Sequence, residues 1–439
     1  MFNRSHIKKL ALSTGFTLRT SRKLDAVSFF NLLLYVVIQP HDISLSTMVS
    51  YLSDKFGIEI SKQSLDERFN ERCLSFIKAV FQELIQDRLS SIYGDNFFEH
   101  FSSVPIKDST KIKTPSNMSA NYPGLGGTPS GISIQYEYDL KTNRVLDMNI
   151  TAATRNDRTD SVATKSNIES GSLIIRDLGY YAGATFQSII DNDAYFLSRL
   201  HSTTTVYHHD NTTVDFSAIY NEMQTQKIDT RELPVYFKVN EKKVFVRMHL
   251  TLAPEEIYKK RLREREKENK KRGYKTSDCL KALYRFTIFI TNAPETYLPK
   301  NVIFSVYKLR WQCELVFKVW KSVFYIDTIH RMKETRYLCM LYMKLIIIMI
   351  NLQIIGRVQK EFFIYNNGKV TMISMRKAFN TLAQYFNELL IILQDTRKKA
   401  LITMKRILKR LSKNHFQEKK KNRTGMPEII ELIICLSGK

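Results

Sequence analysis

Two aspartates and one cationic helical stretch supply the residue types needed for metal-assisted phosphate chemistry. Asp108 closes a predicted strand over residues 104–108 and precedes Ser109-Thr110. Asp177 closes a second, over residues 173–177, and precedes Leu178-Gly179-Tyr180. In open α/β sheets a carboxylate at a strand's carboxyl end points toward the crevice where substrates bind. Strand-ending aspartates are also common turn formers, so neither residue is diagnostic alone. The third element is a helix predicted to begin near residue 298. There YKLRWQCELVFKVWK sets Tyr307, Arg310, Glu314 and Lys321 at offsets 0, 3, 7 and 14. On a continuous helix, at about 100° per residue, these fall within an arc of about 60°. Lys318 and Trp311 flank that stripe. An exposed helix laced by Glu–Lys pairs would share the pattern. The alternative is that Glu314 ligates a metal while Arg310, Lys318 and Lys321 hold phosphates beside it.

Asp108, Asp177 and Glu314 together form a three-carboxylate set suited to two divalent ions. Mg²⁺ is hard and prefers oxygen ligands, which fits these residues and not the scattered Cys or His. Mn²⁺ is an allowed substitute. Two such ions, roughly 3.5–4 Å apart, clamp the attacking and leaving oxygens of an in-line phosphoryl displacement. No GxSxG, HExxH, GKS/T loop or zinc-spaced cluster offers rival chemistry.

The elements that must position these residues change along the chain. Residues 1–98 read as helices: 24–39 is apolar almost all round, and Ser46 and Ser61 are candidate N-caps, with Gly57 between them as a helix stop. Helix, turn and polar helix resemble a helix-turn-helix carrying Lys62, Gln63, Asp66 and Arg68 outward, although an ordinary helical hairpin reads the same way. Short alternating strands, then a strand–helix–strand unit, occupy 99–201 and predict a mixed α/β sheet. Residues 202–296 read as a β-rich insertion. Inside it, 258–275 carries ten Lys or Arg against three Glu. Lys259, Lys260, Arg261, Lys270, Lys271 and Arg272 are its candidate DNA contacts, a solvated charge run being the bland alternative. The helix of 297–330 bears the Tyr-Arg-Glu-Lys set, and 331–439 is helical and basic. In the tail, 396–423 holds twelve Lys or Arg and one acid, Glu418. Leu401, Met404, Leu408 and Leu411 at helical spacing make it an amphipathic helix, open to DNA contact, dimer packing or membrane-surface association.

Composition agrees with a nucleic-acid partner. The 439 residues carry 67 Lys and Arg against 43 Asp and Glu, a net charge of +24 that favours polyanions. Five scattered cysteines without C-x-x-C spacing argue against a disulfide framework or a zinc ribbon. The opening MFNRSHIKKLALSTGF lacks an apolar core and cleavage site, so no signal peptide is expected. The apolar runs 26–39 and 345–356 fall short of the roughly 20 residues a membrane span requires and read as core helices. A cytoplasmic, nucleoid-associated protein without membrane contact is expected.

Three ordered motifs carry a family resemblance. Tyr-x2-Arg-x3-Glu-x6-Lys, standing as Tyr307, Arg310, Glu314 and Lys321, resembles the signature of the bacterial insertion-sequence-four family of DDE transposases. IKDST resembles the segment with that family's first Asp, and RDLGYYAGATFQSIIDNDAYFLSRL the segment around its second; FITNAP also fits. The resemblance covers about residues 100–325. It implies an α/β, ribonuclease-H-like catalytic core interrupted by a β-rich insertion domain between Asp177 and Glu314. It further implies Asp108, Asp177 and Glu314 as the metal-binding catalytic triad for two Mg²⁺ ions, with Tyr307, Arg310 and Lys321 on transposon-end phosphates. Trp311 has two readings, core or stacking on a base. The implied activity is cut-and-paste transposition of double-stranded DNA, through terminal inverted repeats and a homodimer that pairs two ends. A catalytically decayed or domesticated DNA-binding protein, and a metal-dependent nuclease without strand transfer, remain the alternatives.

Overall fold

The computed structural model describes residues 4–18, 23–39, 43–86, 98–328, 330–365, 370–385, 397–418 and 425–437. Helices α1 (Arg4–Ser13), α2 (Ala26–Val37), α3 (Leu45–Phe56), α4 (Lys62–Glu67) and α5 (Glu71–Gln86) come first. Strands β1 (Pro105–Lys113), β2 (Gly131–Asp139) and β3 (Arg144–Ala152) follow. Then come α6 (Asp157–Ala163), β4 (Leu173–Arg176), α7 (Gly183–Asp191) and β5 (Tyr195–Arg199). The next stretch holds β6 (Val206–Tyr207), α8 (Phe216–Gln226), β7 (Thr230–Val239), β8 (Lys242–Leu252), α9 (Glu255–Arg272), α10 (Asp278–Tyr284) and β9 (Phe286–Thr291). The remainder is helical: α11 (Ile303–Lys308), α12 (Gln312–Val323), α13 (Glu334–Tyr365), α14 (Met375–Gln384), α15 (Arg397–Asn414) and α16 (Met426–Ser437). The architecture is α/β, with a mixed sheet and many helices.

The chain divides into two compact units. One holds residues 1–97, 109–155 and 312–431; the other holds 98–108, 156–311 and 432–439.

In the first unit, local chemistry sets the helix ends. Asp25 caps α2 by accepting from Ser28 N at 2.7 Å, and Ser61 caps α4 through Ser64 N at 3.1 Å. Ser44, and not Ser46, caps α3, accepting from Thr47 N at 3.1 Å; Ser46 lies inside the helix. Gly57 ends α3 at φ 63°, a left-handed conformation that costs glycine little. The expected long polar helix after it is broken: α4 stops at Glu67, and Asn70 starts α5 by accepting from Arg72 N and Cys73 N. Asp66 does not face outward as expected. It holds Lys333 Nζ at 2.6 Å and Arg336 at 2.9 Å.

Helix α13 is the spine of this unit. It runs for 32 residues, well beyond the 12-residue apolar run read from sequence. By length and composition its Glu334–Phe362 stretch could cross a membrane, yet 78% of its most apolar window is buried inside the protein. It packs on α5 and α2. There Cys339 and Cys73, both fully buried, bring their Sγ atoms to 3.6 Å. The β2–β3 hairpin pairs antiparallel from Ile132↔Ala152 to Asp139↔Arg144. Its Tyr136 lies under α12, with ring centroids 5.2 Å from Trp320 and 6.0 Å from Phe317.

The second unit is built on a sheet of order β1-β4-β5-β9-β8-β7-β6. The first three strands are parallel, and β9, β8, β7 and β6 continue antiparallel. The strands of the β-rich stretch thus extend the same sheet, through Leu197↔Thr291 and Met248↔Ile290. The β7–β8 hairpin turns at Asn240 and Glu241, both at positive φ, as a two-residue turn with the twist of its strands requires. An apolar core of α7, α8 and the inner strand faces, with Phe186, Phe196, Met223, Met248 and Ile290 at its centre, holds the layers together.

Candidate active site

The site begins with a repeated tripeptide. Ile106-Lys107-Asp108 in β1 and Ile175-Arg176-Asp177 at the end of β4 share the order apolar, cation, acid. The two strands are parallel, and Ile106 pairs with Ile175 and Lys107 with Arg176. Asp108 and Asp177 are the residues that directly follow the last pair of that register. Adjacent strands lie about 4.8 Å apart, and partners in a register share a face of the sheet.

Alternation then gives each strand two faces. On one, the buried Lys107 Nζ meets Asp160 of α6 at 2.7 Å and Thr164 Oγ1 at 3.1 Å. Arg176 donates to Ser161 of the same helix at 2.9 Å. On the other face stand the two aspartates, and here the segment after β9 supplies the partners. Arg310 donates to Asp108 Oδ2 at 2.9 Å, and Tyr307 donates to Asp177 Oδ1 at 3.4 Å. Asp177 also caps the following turn through Leu178 N at 2.8 Å. Burial, and next the Asp177 carboxylate, push the Tyr307 phenol well above the usual tyrosine range, so it stays a neutral donor. Its ring lies 4.8 Å from Phe289.

Two sequence expectations about these elements need correcting. Asp108 does not end its strand, because β1 runs on to Lys113. Nor do Tyr307, Arg310, Glu314 and Lys321 share one continuous helix. After α11 a 3-10 turn spans Leu309–Trp311, and α12 begins at Gln312. A 3-10 turn advances about 120° per residue instead of 100°. The continuous-helix arc therefore does not carry from Tyr307 and Arg310 over to Glu314 and Lys321.

The division between the units falls at this same point, so Tyr307, Arg310 and Trp311 belong with the two aspartates, and Glu314, Lys318 and Lys321 with α12. Within α12 these three recur at i, i+4 and i+7 and so keep a common stripe. Lys318 is exposed, Glu314 and Lys321 are half-buried, and Lys321 Nζ reaches Lys111 O of β1 at 3.4 Å. Trp311 is 48% exposed, so it is not a core residue. Among the described residues no three His, Cys, Asp or Glu side chains converge into a metal-binding cluster. Asp108 and Asp177 nevertheless offer the right donors for a hard divalent ion: paired carboxylate oxygens. Asp177 Oδ2 makes no hydrogen bond among the described residues.

The remaining candidates lie on α9. Lys259 and Lys260 are paired along the helix with Glu255 and Glu264, both at 3.9 Å. Arg261 is tied down: it donates to the Tyr284 and Phe286 carbonyls at 3.0 and 2.7 Å and to Thr287. That fastening gives it a structural part. Lys270, Lys271 and Arg272 stand exposed in the last turn, before Gly273. Sequence reasoning missed Lys107, Asp160, Arg176 and Ser161. The duplicated apolar–cation–acid step was the signal that could have found them.

On this mixed sheet two aspartates follow paired positions of neighbouring parallel strands, and a Tyr and an Arg from a later helical segment are bound to them. Residues 99–350 match the family model described as the transposase DDE domain. The chain belongs to the DDE transposase family. It is 29% identical over 364 residues to the transposase for insertion sequence element IS231B of Bacillus thuringiensis subsp. berliner, covering 79% of this chain and 76% of the relative. It is 30% identical over 363 residues to that for IS231F of B. thuringiensis subsp. israelensis, with 78% and 75% covered. The transposase for IS1151 of Clostridium perfringens is 26% identical over 409 residues, covering 88% and 85%. The resemblance to the insertion-sequence-four group agrees with these relatives.

Proposed function

We propose that this transposase binds terminal inverted repeats in double-stranded DNA, cleaves at the ends, and joins the freed 3′-hydroxyls to target DNA in a cut-and-paste reaction. Asp108, Asp177 and Glu314 act as the catalytic carboxylates on a ribonuclease-H-like core. They would hold Mg²⁺, or Mn²⁺, which when bound lowers the cost of charge developing at the phosphodiester. The chain's own residues do the rest. Arg310 and Tyr307 keep the two aspartates oriented; Arg310, Lys318 and Lys321 neutralise phosphates of the transposon end, and Tyr307 contacts them as an uncharged hydrogen-bond donor. Trp311, exposed beside Arg310, stacks on a base near the cleaved bond. Lys259, Lys260 and the α9 end at Lys270, Lys271 and Arg272 contact the DNA backbone, with 202–296 serving as the insertion domain. Residues 1–98 recognise the ends, and a homodimer pairs them.

The observation that supports this reading is the parallel register Lys107↔Arg176, which leads directly into Asp108 and Asp177, with Arg310 bound to the first and Tyr307 to the second. The test is Glu314→Gln, assayed on labelled transposon ends and on pre-cut ends with a plasmid target. Both cleavage and joining should fall by at least about 10³-fold, the effect of losing several kcal/mol of transition-state stabilisation, with end binding retained. Near wild-type cleavage would remove Glu314 from the site. Cleavage without joining by the unmodified protein would make it a nuclease.

A further inference from the structure

Helix α15 differs from α9, a second strongly basic helix among the described residues. Both α9 and α15 have 18 residues. In α9, five glutamates are interleaved with nine Lys or Arg, and the pairs Glu255–Lys259, Lys260–Glu264 and Arg265–Glu268 offset part of its charge along its own length. In α15 the sequence RKKALITMKRILKRLSKN holds eight Lys or Arg and no acid.

The side chains described on α15 divide by face; those of Leu401 and Met404, expected in its apolar stripe, lie outside the described residues. Ile407 and Leu411 are fully buried and Leu408 is half-buried. Lys405, Lys409 and Lys413 form an exposed row at i, i+4 and i+8, and none of them makes an ion pair among the described residues. Arg406 and Arg410 form a second exposed row, held against the Tyr385 ring at 6.0 and 5.4 Å, with Arg410 donating to the Tyr385 hydroxyl at 2.7 Å. Like charges at i, i+4 repel and weaken a helix by a few tenths of a kcal/mol per pair. A helix that repeats this arrangement without internal acids gains from an anion outside it. Cations recurring every 6 Å or so along the axis suit a surface with dense, regularly spaced negative charge.

We infer that the Lys405–Lys409–Lys413 face of α15 is a docking ridge for the phosphate backbone of double-stranded DNA, separate from the catalytic carboxylates. A duplex carries one negative charge per about 1.7 Å of axis, enough to engage every cation in the row. An anionic membrane fits less well. Interfacial helices insert an apolar face, and here Ile407 and Leu411 are already buried in protein.

The test uses the full chain and plasmid DNA in EDTA, so that no cleavage occurs and the result is independent of the triad. Affinity is measured across a salt series for wild type, for Lys405→Ala/Lys409→Ala/Lys413→Ala, and for the matching triple Arg variant. Alanine is the best helix former, so the first variant keeps the helix. Each lost phosphate contact removes about 0.9 from the slope of log K against log salt. The triple Ala variant should therefore show a slope shallower by about 2–3, and the triple Arg variant the wild-type slope. An unchanged slope in the Ala variant overturns the inference. So does co-sedimentation of wild type with phosphatidylserine vesicles that the Ala variant loses while its DNA slope stays the same.

Discussion

The two aspartates and the glutamate are held in place by different physics. Asp108 and Asp177 each directly follow a paired residue of a hydrogen-bonded ladder, and Lys107 and Arg176 lock the opposite face of the same two strands onto α6. A slip of one residue would turn every side chain to the other face, so the ladder fixes the pair almost digitally. Glu314 sits on a helix oriented by side-chain packing, through Trp320 and Phe317 on Tyr136. Such packing yields by degrees when its volume changes. The difference teaches that the aspartates are lost by changing their chemistry, whereas Glu314 can also be lost from beneath.

The largest expected effect comes from chemistry on the ladder side. Asp177→Asn keeps an oxygen able to cap Leu178 and leaves the register alone. If the carboxylate itself is needed, cleavage of labelled ends should drop by about 10³-fold or more, with an unchanged thermal melt. A loss below about tenfold would relocate the second carboxylate.

Next come two variants that attack the supports. Lys107→Met strands the Asp160 carboxylate in a fully buried site, where breaking one side of an ion pair costs about 3–5 kcal/mol. Trp320→Ala leaves a cavity under α12, which also costs about 3–5 kcal/mol. Urea titration should show similar losses for both. Amide exchange should separate them: faster in β1 and β4 for the first, faster in α12 for the second. Lys107→Met combined with Asp160→Leu should recover most of the stability, since apolar replacement of a buried pair is often neutral. Failure of that recovery would mean the pair contributes more than its own charges.

This contrast also explains what could be read from residues alone. The strands around Asp108 and Asp177 were legible because alternation and β-branched residues mark them, and the caps at Ser61 and Gly57 because single residues encode them. The continuation of β1 past Asp108 was hidden by Ser109-Thr110, which look like turn residues, although Thr favours strands. The break at Leu309–Trp311 was hidden more deeply: no Gly or Pro marks it, and every residue there tolerates a helix. Arg261 and Asp66 look like surface charges in sequence, and only tertiary contacts with Phe286 and Arg336 reveal otherwise.

The smallest effect tests how the aspartate side is tuned. Tyr307 donates to Asp177 across a long 3.4 Å contact, so Tyr307→Phe should slow cleavage by no more than about tenfold, one modest hydrogen bond. Its phenol is also held protonated in the fold by burial and by Asp177. The sign follows from linkage. Above about pH 10 the unfolded chain releases this proton while the folded chain keeps it, so stability falls as pH rises through that range. Tyr307→Phe removes the titrating group and should flatten the decline of the urea midpoint between pH 9 and 11, while the midpoint at pH 7 reports the lost hydrogen bond and any change in packing. A decline as steep as wild type would place the alkaline sensitivity elsewhere, with the buried Tyr136, raised in the same direction, as the first group to examine.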